Sequence, residues 1–153
     1  MPNPDDVIQE RRAGSHRMIE QLVHERTQML SLYSDLAAQH PFNDSDSVSD
    51  LLEQFCQALI DYTADAHFRL YRFIDERKER RRAVIEVADT LYPRIMETTE
   101  SILQFNDKYD REQRTALALK ALERDLSHLG EKLADRIDLE DRVIEVLSRS
   151  ARI

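Results

Sequence analysis

The scarcity of helix-breaking residues is the feature that most limits what this chain can fold into. Its 153 residues include only 2 glycines and 4 prolines. A sheet of this size needs many tight turns, and glycine and proline supply most of the backbone conformations that such turns require. Charged side chains make up 34% of the chain, and the helix formers Leu, Ala, Glu and Arg recur throughout. The sequence therefore predicts an all-helical protein.

Apolar residues recur at spacings of three and four along four segments, which is the pattern of amphipathic helices. The predicted helices span approximately residues 4–38, 48–79, 82–107 and 111–149. The first should end before His40-Pro41, because the residue before a proline avoids the helical conformation. Pro93 interrupts the third segment and predicts either a kink or a helix that restarts there. Short connections between such helices favour one domain over residues 1–153, an up-down-up-down four-helix bundle.

Charged residues interrupt two of the apolar stripes. Arg26 falls in the centre of the first helix's stripe, and Arg136 and Glu140 interrupt that of the fourth. A buried charge without a partner is prohibitively costly, so we expect a partly polar interior in which Glu140 accepts from Arg26 or Arg136. His67 and Tyr71, one turn apart on the flank of the second helix's stripe, are candidates to extend this network. It either fixes the register of the helices or forms part of a partner site.

A second anomaly lies on the outside of the predicted second helix. Asp61, Asp65, Phe68 and Arg72 share the face opposite its apolar stripe. An exposed phenylalanine framed by carboxylates resembles an interface anchor with an acidic rim, although single exposed aromatics are also common. The net charge of -8 repels nucleic-acid phosphates and attracts basic protein surfaces, an attraction that salt weakens. The sequence therefore favours a basic protein as the partner.

Several other classes of protein find little support. Cys56 is the single cysteine, so the chain forms no internal disulfide and suits a reducing compartment. No apolar run approaches the ~20 residues that span a bilayer, and the N-terminus lacks the pattern of a signal peptide. We therefore predict a cytoplasmic protein that neither binds membranes nor needs a cofactor.

The motifs of catalytic and metal sites are incomplete. A di-iron bundle needs a Glu-x-x-His pair on each of two helices, whereas this chain has one Asp125-x-x-His128. Histidine phosphotransfer domains present an exposed histidine followed by lysine and glycine, and residues 128–132 contain these ingredients in another order. Phosphotransfer at His128 stays open as an alternative. We interpret Gly130 instead as permitting close helix packing.

Two blocks of mixed polar and aromatic residues are more specific than generic amphipathicity. The second helix carries Phe55-Cys56-Gln57-Ala58-Leu59-Ile60-Asp61-Tyr62, His67-Phe68 and Leu70-Tyr71. The fourth helix carries Asp125-Leu126-Ser127, Leu129-Gly130-Glu131, Arg136 and Leu139-Glu140-Asp141. Together they resemble the signature of the Rsd/AlgQ family, regulators of sigma D, over nearly the whole chain. The family often has a tryptophan early in the first helix, where this chain reads Ile19-Glu20-Gln21-Leu22.

The resemblance implies a non-catalytic four-helix bundle that binds the primary sigma factor, chiefly at its basic C-terminal region 4. The sequence itself does not fix the oligomeric state, and we expect a monomer. Sequestering that region from promoter and core RNA polymerase favours alternative sigma factors. Asp61 matches an acidic position implicated in sigma binding, and the family's polar interior corresponds to Arg26, Arg136 and Glu140. Some family members are reported to act on a phosphocarrier or an alarmone enzyme, which is the alternative partner class.

Overall fold

A computed structural model of the chain describes residues 4–42, 45–71, 82–110 and 116–150. All regular elements in these ranges are helical, as the composition predicts. The elements are α1, Pro4–Ala37; α2, Asp46–Asp65; a π-helical segment, Ala66–Tyr71; α3, Arg82–Tyr109; α4, Ala116–Lys120; and α5, Leu122–Ser150. Among the described residues, no helix has both the length and the apolar character needed to cross a membrane.

The start of α2 and the course of α3 differ in detail from the sequence prediction. α2 begins at Asp46, two residues early, because the Ser45 hydroxyl accepts from the Val48 amide at 3.3 Å and caps the helix. α3 neither stops nor restarts at Pro93. Pro93 is exposed, so the carbonyl that loses its helical donor can bond to water instead.

The predicted fourth helix is divided in two. Its expected first residues, 111–115, lie outside the described part of the chain, and α4 ends at Lys120. The Ala121 amide then donates to the Ala118 carbonyl at 3.0 Å, an i→i−3 bond that tightens the backbone for one turn. α5 follows at once, with the Asp125 amide donating back to the Ala121 carbonyl at 2.9 Å.

The apolar core forms where the helices meet. α1 packs along α2, α3 packs along α5, and contacts between α2 and α3 join the two pairs. Phe55 of α2 lies at the centre, with its ring edge-on to Tyr33 of α1 at 5.7 Å and to Phe105 of α3 at 6.0 Å. The rest of the core includes the fully buried apolar side chains of Leu22, Met29, Leu36, Leu52, Leu59, Leu70, Ile95 and Ile102.

Gly130 of α5 lies in close contact with Tyr33 of α1. The Tyr33 hydroxyl donates to the Leu126 carbonyl at 2.9 Å, one turn before Gly130. A Cβ atom at Gly130 would collide with that hydroxyl and would lie 3.1 Å from Cζ of the same ring. The interpretation of this glycine as a packing residue is confirmed.

Candidate partner-binding site

A network of hydrogen-bonded charges occupies the interior, centred on Glu140 of α5. Its carboxylate is fully buried and accepts from Nε of Arg136 at 2.7 Å and from Nη2 of Arg26 at 3.2 Å. The Tyr62 hydroxyl of α2 lies 2.6 and 2.7 Å from the two carboxylate oxygens. One buried acid thus receives donors from α1, α2 and its own helix.

Further partners bind the terminal nitrogens of the two arginines, whereas Nε of Arg26 is buried and has no hydrogen-bond partner among the described residues. Nη1 of Arg136 donates to the Thr99 hydroxyl at 2.7 Å and to the Thr98 hydroxyl at 3.3 Å, which brings α3 into the network. Nη1 of Arg26 donates to Oδ1 of Asp141 at 2.8 Å. Two guanidinium groups therefore face two carboxylates, and the network connects all four long helices with balanced charge.

Tyr62 and Arg26 each keep a single protonation state within this network. Burial raises the pKa of Tyr62 well above its usual range, and the charge of Glu140 raises it further. Burial disfavours the Arg26 cation, but its electrostatic interaction with Tyr62, its hydrogen bond to Asp141 and the charges of Glu140 and Asp141 together raise its pKa. Tyr62 is consequently a neutral donor and Arg26 a cation at any physiological pH.

His67 does not join this network, and its expected role there is wrong. Its side chain is exposed, and its ring lies edge-on to that of Phe68, with 5.2 Å between centroids. Ala66 and Leu70 fill the core, and His67 points away from it. The Tyr71 side chain lies outside what the structure describes.

Some members of the network escaped the sequence analysis. Tyr62 lies on the stripe of α2 and reads there as a core aromatic. Thr98 gives a clearer signal, because it stands between Ile95 and Ile102 on the stripe of α3 and its hydroxyl needs a buried partner. Asp141 gives no such signal, because its side chain is largely exposed and only its contact with Arg26 distinguishes it.

The second set of predicted residues lies on the outer face of α2, a face that continues along the π-helical segment and is called the outer face of α2 throughout. Phe68 is 57% exposed, and Asp61 is exposed with Oδ1 accepting from Nε2 of Gln57 at 3.0 Å. The Asp65 side chain is 31% exposed, and its Oδ1 lies 3.7 Å from Nε of Arg69. Arg72 lies outside the described residues. The face thus presents an aromatic ring beside two accessible carboxylates.

A third polar cluster lines a cavity of about 170 Å³ between α3 and α5. Oδ2 of Asp125 accepts from Nζ of Lys108 and from the Tyr109 hydroxyl, both at 2.6 Å. Partial burial opposes ionisation of Asp125, but these two donors prevail and lower its pKa. His128 lines the cavity mouth. Within the described ranges, no group of three or more His, Cys, Asp or Glu side chains is arranged to hold a metal ion.

The described part of the chain is thus an all-helical, acidic module with an exposed aromatic ring on an outer helix face. The chain belongs to the Rsd/AlgQ family: the sequence model described as the regulator of RNA polymerase sigma(70) subunit, Rsd/AlgQ, matches residues 1–148. The resemblance seen in the sequence is therefore confirmed.

Individual relatives agree with the family assignment. A regulator of sigma D from Enterobacter sp. (strain 638) is 32% identical over 149 residues, covering 94% of this chain and 88% of that protein. A protein of the same name from Yersinia pseudotuberculosis (serotype O:1b, strain IP 31758) is 28% identical over 153 residues, covering 98% and 90%. No solved structure is a significant match.

Proposed function

We propose that this protein binds the primary sigma factor, mainly at region 4, and keeps it from core RNA polymerase and from promoter DNA. The observation that carries the proposal is the family match over residues 1–148. In this proposal the protein acts by occupying a surface of its partner, in the cytoplasm where RNA polymerase works, and it catalyses no reaction.

We propose the outer face of α2 as the docking surface. Phe68 supplies apolar area for a central contact, and Asp61 and Asp65 supply charges that can pair with arginines of the partner. Arg72, four residues after Phe68, would extend this face. The net charge of -8 would accelerate association with a basic module such as a DNA-reading domain, particularly at low salt.

The interior supports this surface in the proposed architecture, a single up-down-up-down four-helix bundle over residues 1–153 that is monomeric when free. α1 with α2 and α3 with α5 form the closely packed pairs, as consecutive antiparallel helices do. Tyr62 is the neighbour of Asp61 in sequence and is anchored on Glu140. The network would thereby hold α2 in register with the other helices.

Charge reversal at Asp61 tests the proposal. Asp61→Lys should abolish binding to purified primary sigma factor and to its isolated region 4, because a lysine would face the partner's basic side chains. Titration calorimetry at low and at high salt measures the affinity, and light scattering gives the stoichiometry and the state of the free protein. Circular dichroism should show unchanged helicity, since Asp61 is exposed.

Glu97→Lys is the matched control. Glu97 is exposed on α3, so its reversal changes the net charge by the same amount without touching the proposed surface. This variant should keep nearly all of the wild-type affinity. Normal binding by Asp61→Lys, or equal losses in both variants, would contradict the docking surface.

A further inference from the structure

Arg69 of the π-helical segment links α1 to the proposed docking surface. Nη1 of Arg69 donates to the side-chain oxygen of Gln21 of α1, and Nε of Arg69 lies 3.7 Å from Oδ1 of Asp65, four residues earlier. The charge of Arg69 also reaches Glu25 of α1: burial raises the pKa of Glu25 to about 7, and Arg69 acts against that rise. A positive charge anchored on α1 therefore lies beside a carboxylate that we propose as a partner contact.

The two carboxylates of the docking surface are consequently not equivalent. Asp61 accepts from the amide of Gln57 at 3.0 Å, a neutral group that leaves the negative charge of Asp61 in place. Asp65 faces the guanidinium group of Arg69 at a distance too long for a hydrogen bond, so the cation compensates its charge without a strong directional bond. The side chains of Arg69 and Asp65 are 43% and 31% exposed, and a partner can therefore reach both.

We infer that Arg69 is a specificity-determining residue, which compensates Asp65 in the free protein and lowers the affinity for basic partners. The inference rests on the proposed function. A lysine or arginine of the partner has to compete with Arg69 for Asp65 and is repelled by the positive charge of Arg69. A surface that offers only positive charge therefore gains little at Asp65. A partner that also covers Phe68 and pairs with Asp61 still binds, because those two contacts do not involve Arg69.

Removal of this positive charge should strengthen binding. An exposed ion pair changes an equilibrium constant by up to roughly fivefold, and loss of the repulsion acts in the same direction. Arg69→Gln should therefore bind purified primary sigma factor about fivefold more tightly at low salt, and the gain should shrink at high salt because dissolved ions screen exposed charges. Arg69→Lys retains the charge and should stay within about twofold of wild type. An equal gain in both variants would overturn the inference, because the shape of the arginine and not its charge would then matter.

A double-mutant cycle between Arg69 and Asp65 tests the inference directly. Titration calorimetry at low salt and about pH 8, above the pKa of Glu25, gives the affinities of wild type, Arg69→Gln, Asp65→Asn and the double variant for primary sigma factor. Asp65→Asn should weaken binding by less than about twofold when Arg69 is present, because Arg69 already compensates the lost charge. The same change should weaken binding by about fivefold in the Arg69→Gln background, where only the partner's cation pairs with Asp65.

Three control variants separate this role of Arg69 from other effects. Arg94→Gln removes an equal charge from an exposed position on α3 and should change the affinity by less than about twofold. Gln21→Ala loosens Arg69 without a substitution in the docking surface and should give a smaller gain than Arg69→Gln. Asp61→Asn should weaken binding by a similar factor with and without Arg69. An equal loss from Asp65→Asn in both backgrounds would overturn the role of Arg69 alone, whereas failure of wild type to bind at any salt concentration would overturn the proposed function as well.

Discussion

Removal of the Glu140 carboxylate would leave two buried cations without the anion that they share. Arg136 and Arg26 are 1% and 8% exposed, so neither can recover full hydration without a movement of the helices. In Glu140→Ala, Arg26 keeps Asp141 and Arg136 keeps the Thr99 hydroxyl as acceptors. The neutral hydroxyl groups of Thr98 and Thr99 cannot replace a carboxylate, and Arg136 carries most of the expected cost.

The size of that cost follows from the burial. Breaking a buried ion pair by removing one partner typically costs about 3–5 kcal/mol. Total free energies of unfolding are about 5–15 kcal/mol, so the variant should lose a large part of its stability. A domain of this size loses roughly 2–4 °C of Tm per kcal/mol, which corresponds to a decrease of about 10 °C. The stability of Glu140→Gln should lie between those of wild type and Glu140→Ala, because glutamine retains a hydrogen-bond acceptor but lacks the negative charge.

Urea denaturation followed by far-ultraviolet circular dichroism measures the loss of stability. Glu131→Ala is the matched control, since Glu131 lies exposed on the same helix and its removal should change the free energy of unfolding by no more than about 0.5 kcal/mol. A loss below about 1 kcal/mol for Glu140→Ala would refute the reasoning. It would mean that the arginines reach water, and that the interior is more open than the structure indicates.

Two further changes test packing and titration. Gly130→Ala should lower the free energy of unfolding by about 1–3 kcal/mol, because the added methyl displaces the Tyr33 hydroxyl from the Leu126 carbonyl; an unchanged thermal midpoint would contradict this close contact. Glu25→Gln should be more stable than wild type above pH 7 and equal to it below pH 4.5, because the raised pKa of Glu25 makes the folded state bind this proton more tightly than the unfolded state. The free energy of unfolding of wild type thus falls by about 1 kcal/mol as the pH rises from 4.5 to 7, after allowance for solvent screening. A difference in stability between wild type and Glu25→Gln that does not change with pH would argue against the raised pKa of Glu25.

The positions of the interior charges could be predicted from the sequence because they violate a periodic pattern. Arg26 and Glu140 occupy positions where an amphipathic helix has leucine or isoleucine, so burial follows from their place alone. Hydroxyl-bearing residues such as Tyr62 give a weaker signal, since an aromatic ring fits an apolar stripe whether or not its hydroxyl has a charged partner. The charged members of such a network are therefore easier to find than its neutral donors.

The π-helical segment could not be predicted in this way. An α-helical and a π-helical turn use the same residue types, and the choice between them depends on which side chains the neighbouring helices accept. Ala66 and Leu70, four residues apart, both reach the core. His67 follows Ala66 directly and therefore lies on the flank of the apolar stripe in either kind of turn, and the structure places it on the exposed side of that flank.

The same variants decide between the two roles that the sequence leaves open for the polar interior. Asp61 and Tyr62 are consecutive residues of α2, one exposed and one buried. If the network only holds the helices in register, Glu140→Ala measured below its melting temperature should bind sigma factor with nearly wild-type affinity, whereas Asp61→Lys should be stable and unable to bind. If the interior instead forms part of the partner site, folded Glu140→Ala should lose affinity even with Asp61 intact. Because Glu140 has no exposed surface, direct contact with the partner would require the helices to separate on binding, and we expect the first pattern.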